Sequence, residues 1–209
     1  MRARDKSIGR LHNYLELLVR YPSELDAFLR DCFNKLWTVL RFFAHYYRNW
    51  IIPNKHLVVL VGSLGKTTTT RELRAALLET DHYQSFSNYG VRLAENILRS
   101  RPNEPYYVFE VGISGPGQME QLSRLIRPNI VVVTSITSDH NRSFPTLEDT
   151  RREKVKMIQG LTSEGMAILN GDDPNVKWMA SHTKARVKTI GMDPTNDVWA
   201  SEVELNWPR

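Results

Sequence analysis

The feature that most constrains this chain is VVLVGSLGKTTTT, residues 58–70. An apolar run that ends on glycine reads as a strand buried on both faces, the usual state of a strand in a parallel sheet. The Thr-rich stretch after it reads as the start of a helix. Two glycines between strand and helix let the backbone curl until its N–H groups face one point, which suits a phosphate. The helix N-terminus adds a positive dipole end. Gly62, Ser63, Leu64, Gly65, Lys66, Thr67 and Thr68 are therefore the candidate nucleotide contacts. Lys66 can reach the outer phosphates, and the Thr67 hydroxyl can ligate magnesium. ATP with Mg2+ is the expected cofactor pair. The general phosphate-loop spacing asks for glycine five residues before Gly65, where Leu60 stands, so the loop is of a shorter kind.

A strand feeding a helix in this way needs further strands beside it. YYVFEVG, NIVVVTSI and MAILN supply buried apolar runs. Between them VRLAENILRS, QMEQLSRLI and LEDTRREKVKMIQGL carry helical spacing. Alternation of this kind predicts an α/β fold with a mainly parallel sheet. Upstream, residues 1–52 read as a helical N-terminal segment. Leu11, Leu15, Leu18 and Val19 recur at helical spacing, Pro22 and Ser23 interrupt, and Ser23 is the expected N-cap of a second helix. Pro53 marks the expected boundary, with an ATP-binding domain over 53–209, expected to be truncated at its C-terminus because the chain ends without a closing helix.

Composition narrows the function classes only a little. The 209 residues carry a formal charge of +5 and are 41% hydrophobic. So mild a basic excess serves nucleotide phosphates as well as it would nucleic acid, and no nucleic-acid partner is expected. A single cysteine, Cys32, allows no internal disulfide and fits a reducing compartment. No secretory leader is legible at the N-terminus and no run is long enough to span a bilayer, so a cytoplasmic location is expected. Residues 34–52 mix Trp37, Tyr46, Tyr47 and Trp50 with Arg41 and Arg48. That mixture predicts contact with another surface, a protein or a membrane interface, against the simpler alternative of a helix folded onto the α/β domain.

Two further residues draw attention by position. Glu110 closes the strand YYVFE, and a carboxylate at the end of a buried strand is placed where open sheets bind ligands. With Thr67 it offers the oxygen donors that magnesium prefers. His140 follows VVVTSITSD, and Asp139 beside it is either its partner or a solvated loop acid.

Six segments, in order, resemble the central domain of the Mur ligases: GSLGKTT, SNYGVRL with Asn88, FEVGISGPGQM with Glu110, IRPNIVVVTSITSDH with His140, REKVKMIQGL with Lys154, and AILNGDDP with Asn170 and Asp172. The likeness runs from about Leu57 to Ile190. It implies an ATP-dependent acid–amino acid ligase of peptidoglycan precursor synthesis. A UDP-muramoyl-peptide-like carboxylate would be phosphorylated to an acyl phosphate, and an incoming amine would then displace the phosphate to give an amide. It assigns Lys66, His140 and Lys154 to catalysis, Asn170 and Asp172 to the nucleotide, and His140 and Lys154 with Thr67 and Glu110 to the metal. Lys154 is the position at which the family carries a carbamylated lysine; Lys156, two residues on, is expected on another helix face. Asn141 stands where the family has an apolar residue, and residues 1–52 do not resemble its UDP-sugar domain. Two other functions compete: a phosphate-loop switch protein, although no apolar strand ends on the usual metal-binding aspartate, and a nucleotide-binding module or remnant that does not ligate.

Overall fold

A computed structural model describes residues 22–52, 57–77, 90–137 and 143–204, with side chains from residue 35 onward. The chain divides into two compact units, Met1–Leu40 and Arg41–Arg209. Helix α1, Pro22–Trp50, runs from the first into the second. It begins on Pro22 itself, a residue with no N–H to leave unpaired in a first turn, so Ser23 lies inside the helix and not at its cap.

The last turns of α1 are fastened to the sheet domain within the second unit. Ala44, Arg48 and Ile52, spaced four apart, are buried. The Arg48 guanidinium donates from Nε to the Ile126 carbonyl at 2.5 Å and from Nη2 to the Arg127 carbonyl at 2.8 Å. Tyr47 donates its hydroxyl to the Ser100 carbonyl at 2.6 Å. Burial, and then the neighbouring Arg127 charge, push the Arg48 pKa below its ordinary value. The carbonyls around it offset that cost, and an arginine stays charged there.

The sheet has six strands: β1 (Leu57–Val61), β2 (Tyr107–Glu110), β3 (Ile130–Val133), β4 (Met166–Asn170), β5 (Arg186–Gly191) and β6 (Val198–Trp199). Their spatial order is β2-β1-β3-β4-β5-β6, and every pairing is parallel. The helices between them are α2 (Lys66–Leu77), α3 (Gly90–Arg99), α4 (Gln118–Ile126), α5 (Leu147–Gln159) and α6 (Pro174–Trp178), followed by a 3-10 turn at Met179–His182. All five residues of β1 are buried, as a central parallel strand covered on both faces must be. Val58, Leu60, Val108 and Val132 pack together on one face, with Leu73 and Leu77 of α2 laid over them.

The chain leaves β1 for β2 on one side and returns to β3 on the other. The strand order therefore reverses at β1. The crevice that such a reversal opens beyond the carboxyl ends of the strands is where an open α/β sheet takes its ligand. The loop at residues 62–65 leaves β1 at that point. Helix α5 is closed at its start by a capping box in which the Thr146 hydroxyl accepts from the Asp149 N–H and the Asp149 side chain accepts from the Thr146 N–H.

Candidate functional site

The phosphate loop is held by the segment that follows β3. Ser63 N–H donates to the Ser135 carbonyl at 2.7 Å, Leu64 N–H to the Ser135 hydroxyl at 3.0 Å, and the Thr134 hydroxyl to the Leu64 carbonyl at 2.7 Å. This close approach explains the first glycine: a Cβ on Gly62 would sit 2.0 Å from Thr134 Oγ1. Gly65 is needed for another reason, its φ of +80°, in the left-handed region that glycine alone adopts without strain.

Ser63 is the hub. Its hydroxyl donates to the Thr137 carbonyl at 3.1 Å and accepts from the Thr137 N–H at 2.9 Å. It also accepts from Lys154 Nζ at 2.8 Å. Lys154 lies on α5 and is only 4% exposed. Lysines are rarely that buried without a function or a close partner. Lys66 folds back and donates from Nζ to the Ser63 carbonyl at 3.0 Å. At the second residue of α2, the Thr67 hydroxyl donates to the Glu110 carboxylate, 2.9 and 3.2 Å from its two oxygens. The register pairs Leu60 with Glu110, so the carboxylate stands at the end of β2 directly beside the loop. Thr68 and Leu64 are exposed. A hydroxyl and a carboxylate at the mouth of a phosphate loop are the donor set that suits a hard, oxygen-seeking divalent cation.

On the other side, Asn170 at the end of β4 donates from Nδ2 to the Thr134 carbonyl at 2.8 Å and accepts from the Asp172 N–H at 3.1 Å. Asp172 points elsewhere. Its carboxylate accepts from Met192 N–H at 2.5 Å, Asp193 N–H at 3.1 Å and Asn196 Nδ2 at 2.9 Å, which ties β4 to the turn after β5. Those backbone bonds, the Met192 one foremost, hold its pKa below the ordinary carboxylate value. So occupied an acid brackets the β5–β6 turn, and Asp173 is the residue that reaches back to the site. Asp173 accepts from Ile136 N–H at 2.8 Å while capping α6 through Asn175 N–H at 2.8 Å. A motif of two consecutive aspartates could not say which one turned inward.

The structure thus gathers Lys66, Thr67, Glu110, Lys154 and Asn170 around the loop and turns Asp172 away. Asn88, Asp139 and His140 lie outside the described residues. A second residue unremarked in the sequence is Glu153. It is buried, accepts from Met119 N–H in the first turn of α4 at 3.0 Å, and meets Lys156 Nζ at 2.6 Å. Lys156 is therefore engaged in holding α4 against α5, and is not the idle neighbour of Lys154 that its helix face predicts.

A family model described as the Mur ligase middle domain matches residues 60–208. The UDP-N-acetylmuramoyl-tripeptide–D-alanyl-D-alanine ligase of Mycobacterium tuberculosis is 31% identical over 154 residues, covering 72% of this chain and 30% of that protein. The enzyme of the same description from Borreliella burgdorferi is 38% identical over 106 residues, 48% of this chain and 22% of that one. In structure, MurF from Acinetobacter baumannii matches with a TM-score of 0.72 at 23% identity, over 81% of this chain and 38% of its own. MurF from Thermotoga maritima, solved in complex with ADP, matches with a TM-score of 0.66 at 23% identity, over 79% of this chain and 40% of its own. At that identity the structural likeness speaks for the fold. The chain spans about a third of the length of these relatives.

Proposed function

We propose that this chain, which belongs to the Mur ligase family, builds the ATP and magnesium site of an amide-bond ligase acting on a peptidoglycan precursor. The observation that carries the reading is the meeting of Thr67 and Glu110 at 2.9 Å beside Lys66, at the point where the strand order reverses. Thr67 and Glu110 would hold magnesium, which when bound neutralises phosphate charge and so favours transfer of the terminal phosphoryl group to a carboxylate.

The chain's own residues then divide the work. The loop N–H groups and the α2 N-terminus receive the phosphates. Lys66 exchanges its contact with the Ser63 carbonyl for the outer phosphates, where its charge is wanted as the bond to the leaving diphosphate breaks. Asn170, fixed by Thr134, lines the nucleotide side. Lys154, in contact with Ser63, would act on the carboxylate that accepts the phosphoryl group; as a carbamate, the form that the family resemblance implies, it would add an anionic oxygen donor for a metal. His140 is assigned to the same acyl-phosphate side. The acceptor is a UDP-muramoyl-peptide-like carboxylate, and the relatives named for adding D-alanyl-D-alanine make a dipeptide the proposed incoming amine. A cytoplasmic location follows from that substrate and from ATP. The contact surface predicted in residues 34–52 is a separate proposal, taken up below.

The competing reading is a nucleotide-binding module that does not ligate. Phosphate release dependent on both a UDP-muramoyl peptide and an added dipeptide, measured on a full-length ligase carrying this domain, supports the ligase. Nucleotide binding without such release sinks it and leaves the module.

A further inference from the structure

We propose that the outward face of α1 over residues 41–51 is a docking surface for an anionic lipid bilayer. This stands apart from the ligase reading and rests on different residues.

The register of the helix is fixed from the inside. Ala44, Arg48 and Ile52 are buried, and the two guanidinium contacts to the Ile126 and Arg127 carbonyls of the sheet domain hold the helix against rolling. Residues two positions off that stripe must therefore face out. They are Phe42, Tyr46 and Trp50, with Phe43 and Ile51 at their flanks. Phe42 is 69% exposed and Trp50 76%. The rings lean on each other: Phe42 and Phe43 meet edge to face with centroids 5.6 Å apart, and Tyr46 and Trp50 lie 6.3 Å apart. An apolar face of this size left in water by a folded domain marks an interaction site.

Charge identifies the partner. From Lys35 to Ile52 the sequence has no Asp or Glu. Arg41 is exposed at one end of the face, and at the other Arg127 donates from Nη1 to Asn49 Oδ1 at 3.4 Å, with His45 bonded to the same Asn49 at 2.8 Å. Tryptophan, tyrosine and phenylalanine beside arginine, without carboxylates, is the composition of a helix lying in the headgroup layer, with rings among the acyl chains and cations at the phosphates. A second copy of the chain would set Arg41 and Arg127 against like charges. Among the described residues no helix is long and apolar enough to cross a membrane, so the contact is peripheral.

The test is co-sedimentation of the full chain with phosphatidylcholine vesicles and with phosphatidylcholine–phosphatidylglycerol vesicles. The expected result is pelleting with the anionic vesicles at low salt, relieved by added salt, and little with the neutral ones. The pair Phe42→Ser with Trp50→Ser, at exposed positions whose loss leaves the fold and its circular dichroism intact, should weaken partitioning at least about tenfold. Arg41→Glu with Arg127→Glu should abolish the preference for anionic vesicles. Pelleting unchanged in both pairs overturns the proposal, as does failure of the parent chain to bind anionic vesicles. A concentration-dependent dimer seen by light scattering and removed by the Phe42/Trp50 pair, without vesicle binding, would assign the face to self-association and also overturn it.

Discussion

At the scale of single residues, the loop separates groups that hold its shape from groups with something left to give. Gly62, Ser63 and Thr134 hold it. Gly62→Ala puts a methyl where Thr134 Oγ1 stands, so Thr134 must rotate and release the Leu64 carbonyl; a loss of about 1–3 kcal/mol in stability is expected, read by denaturant unfolding. Lys66 is different, because its ammonium group bonds to a carbonyl of its own loop. Lys66→Ala should leave the unfolding midpoint nearly unchanged while lowering affinity for a non-hydrolysable ATP analogue at least about tenfold in calorimetric titration. Unaltered affinity would remove the phosphate-binding role. Glu110 and Thr67 belong with Lys66. Glu110→Ala should weaken nucleotide binding in the presence of magnesium far more than in its absence, and an equal loss in both would take Glu110 out of the metal shell. Lys156, two residues on from Lys154, is not a neutral position for stability. Lys156→Ala strips a buried Glu153 of its cation, so it should cost stability; Arg152, an exposed side chain paired with Glu148, is the better neutral comparison.

At the scale of elements, two attachments deserve measurement. The first is α1, tied to the C-terminal end of α4 by Arg48. Arg48→Met keeps bulk but leaves the Ile126 and Arg127 carbonyls without their donor, and about 2–4 kcal/mol of stability should go with it. Hydrogen exchange should show the last turns of α1 opening while β1 and β3 stay protected. The second is the edge formed by β5 and β6. Asp197 bridges it, accepting from Lys188 Nζ at 2.9 Å and from Thr189 N–H at 2.8 Å. Those bonds, the Lys188 one first, hold its pKa down at about 2. A carboxyl depressed in the folded state stabilises the fold fully above its unfolded pKa, near 4, and that contribution fades as pH falls through the folded value. The Asp197 carboxyl carbon should therefore titrate by NMR with a midpoint near the lower value, and Asp197→Asn should leave the β5–β6 edge indifferent to pH between the two. A midpoint near 4 in the parent chain would show that the bridge does not persist in solution.

At the scale of the whole molecule, one ATP domain cannot by itself place a carboxylate, a phosphate and an amine together. The relatives are about three times as long as the stretch they share with this chain. The 209-residue chain is therefore expected to bind nucleotide and to release no phosphate in response to an added dipeptide; turnover by the isolated chain would show that the acceptor site lies within it. If the aromatic face of α1 docks on lipid, nucleotide affinity should be the same on and off vesicles, since its anchor, Arg48, contacts α4 and not the phosphate loop.

Much of this protein was readable along the chain. Apolar runs ending in Gly62 and Glu110 and the helical spacing between them gave the strand–helix alternation, since a buried parallel strand can be little else than a short continuous apolar run. The loop was readable as well, because glycine conformation and a Lys–Thr helix start are local properties. What lay beyond reach was every relation set by packing across distance. The choice of Asp173 over Asp172 as the acid turned to the site depended on where Ile136 and Met192 came to rest, one in another strand's loop and the other beyond β5. The contact of Lys154 with Ser63 joins residues 91 apart. The attachment of α1 to the α/β unit hung on carbonyls 78 and 79 residues away, and a backbone carbonyl has no side chain by which a sequence can announce it. Local propensity and hydrophobic period wrote the elements; only the assembled parallel sheet, by bringing the ends of β1, β2, β3 and β4 to one edge, decided which of their polar residues lie together.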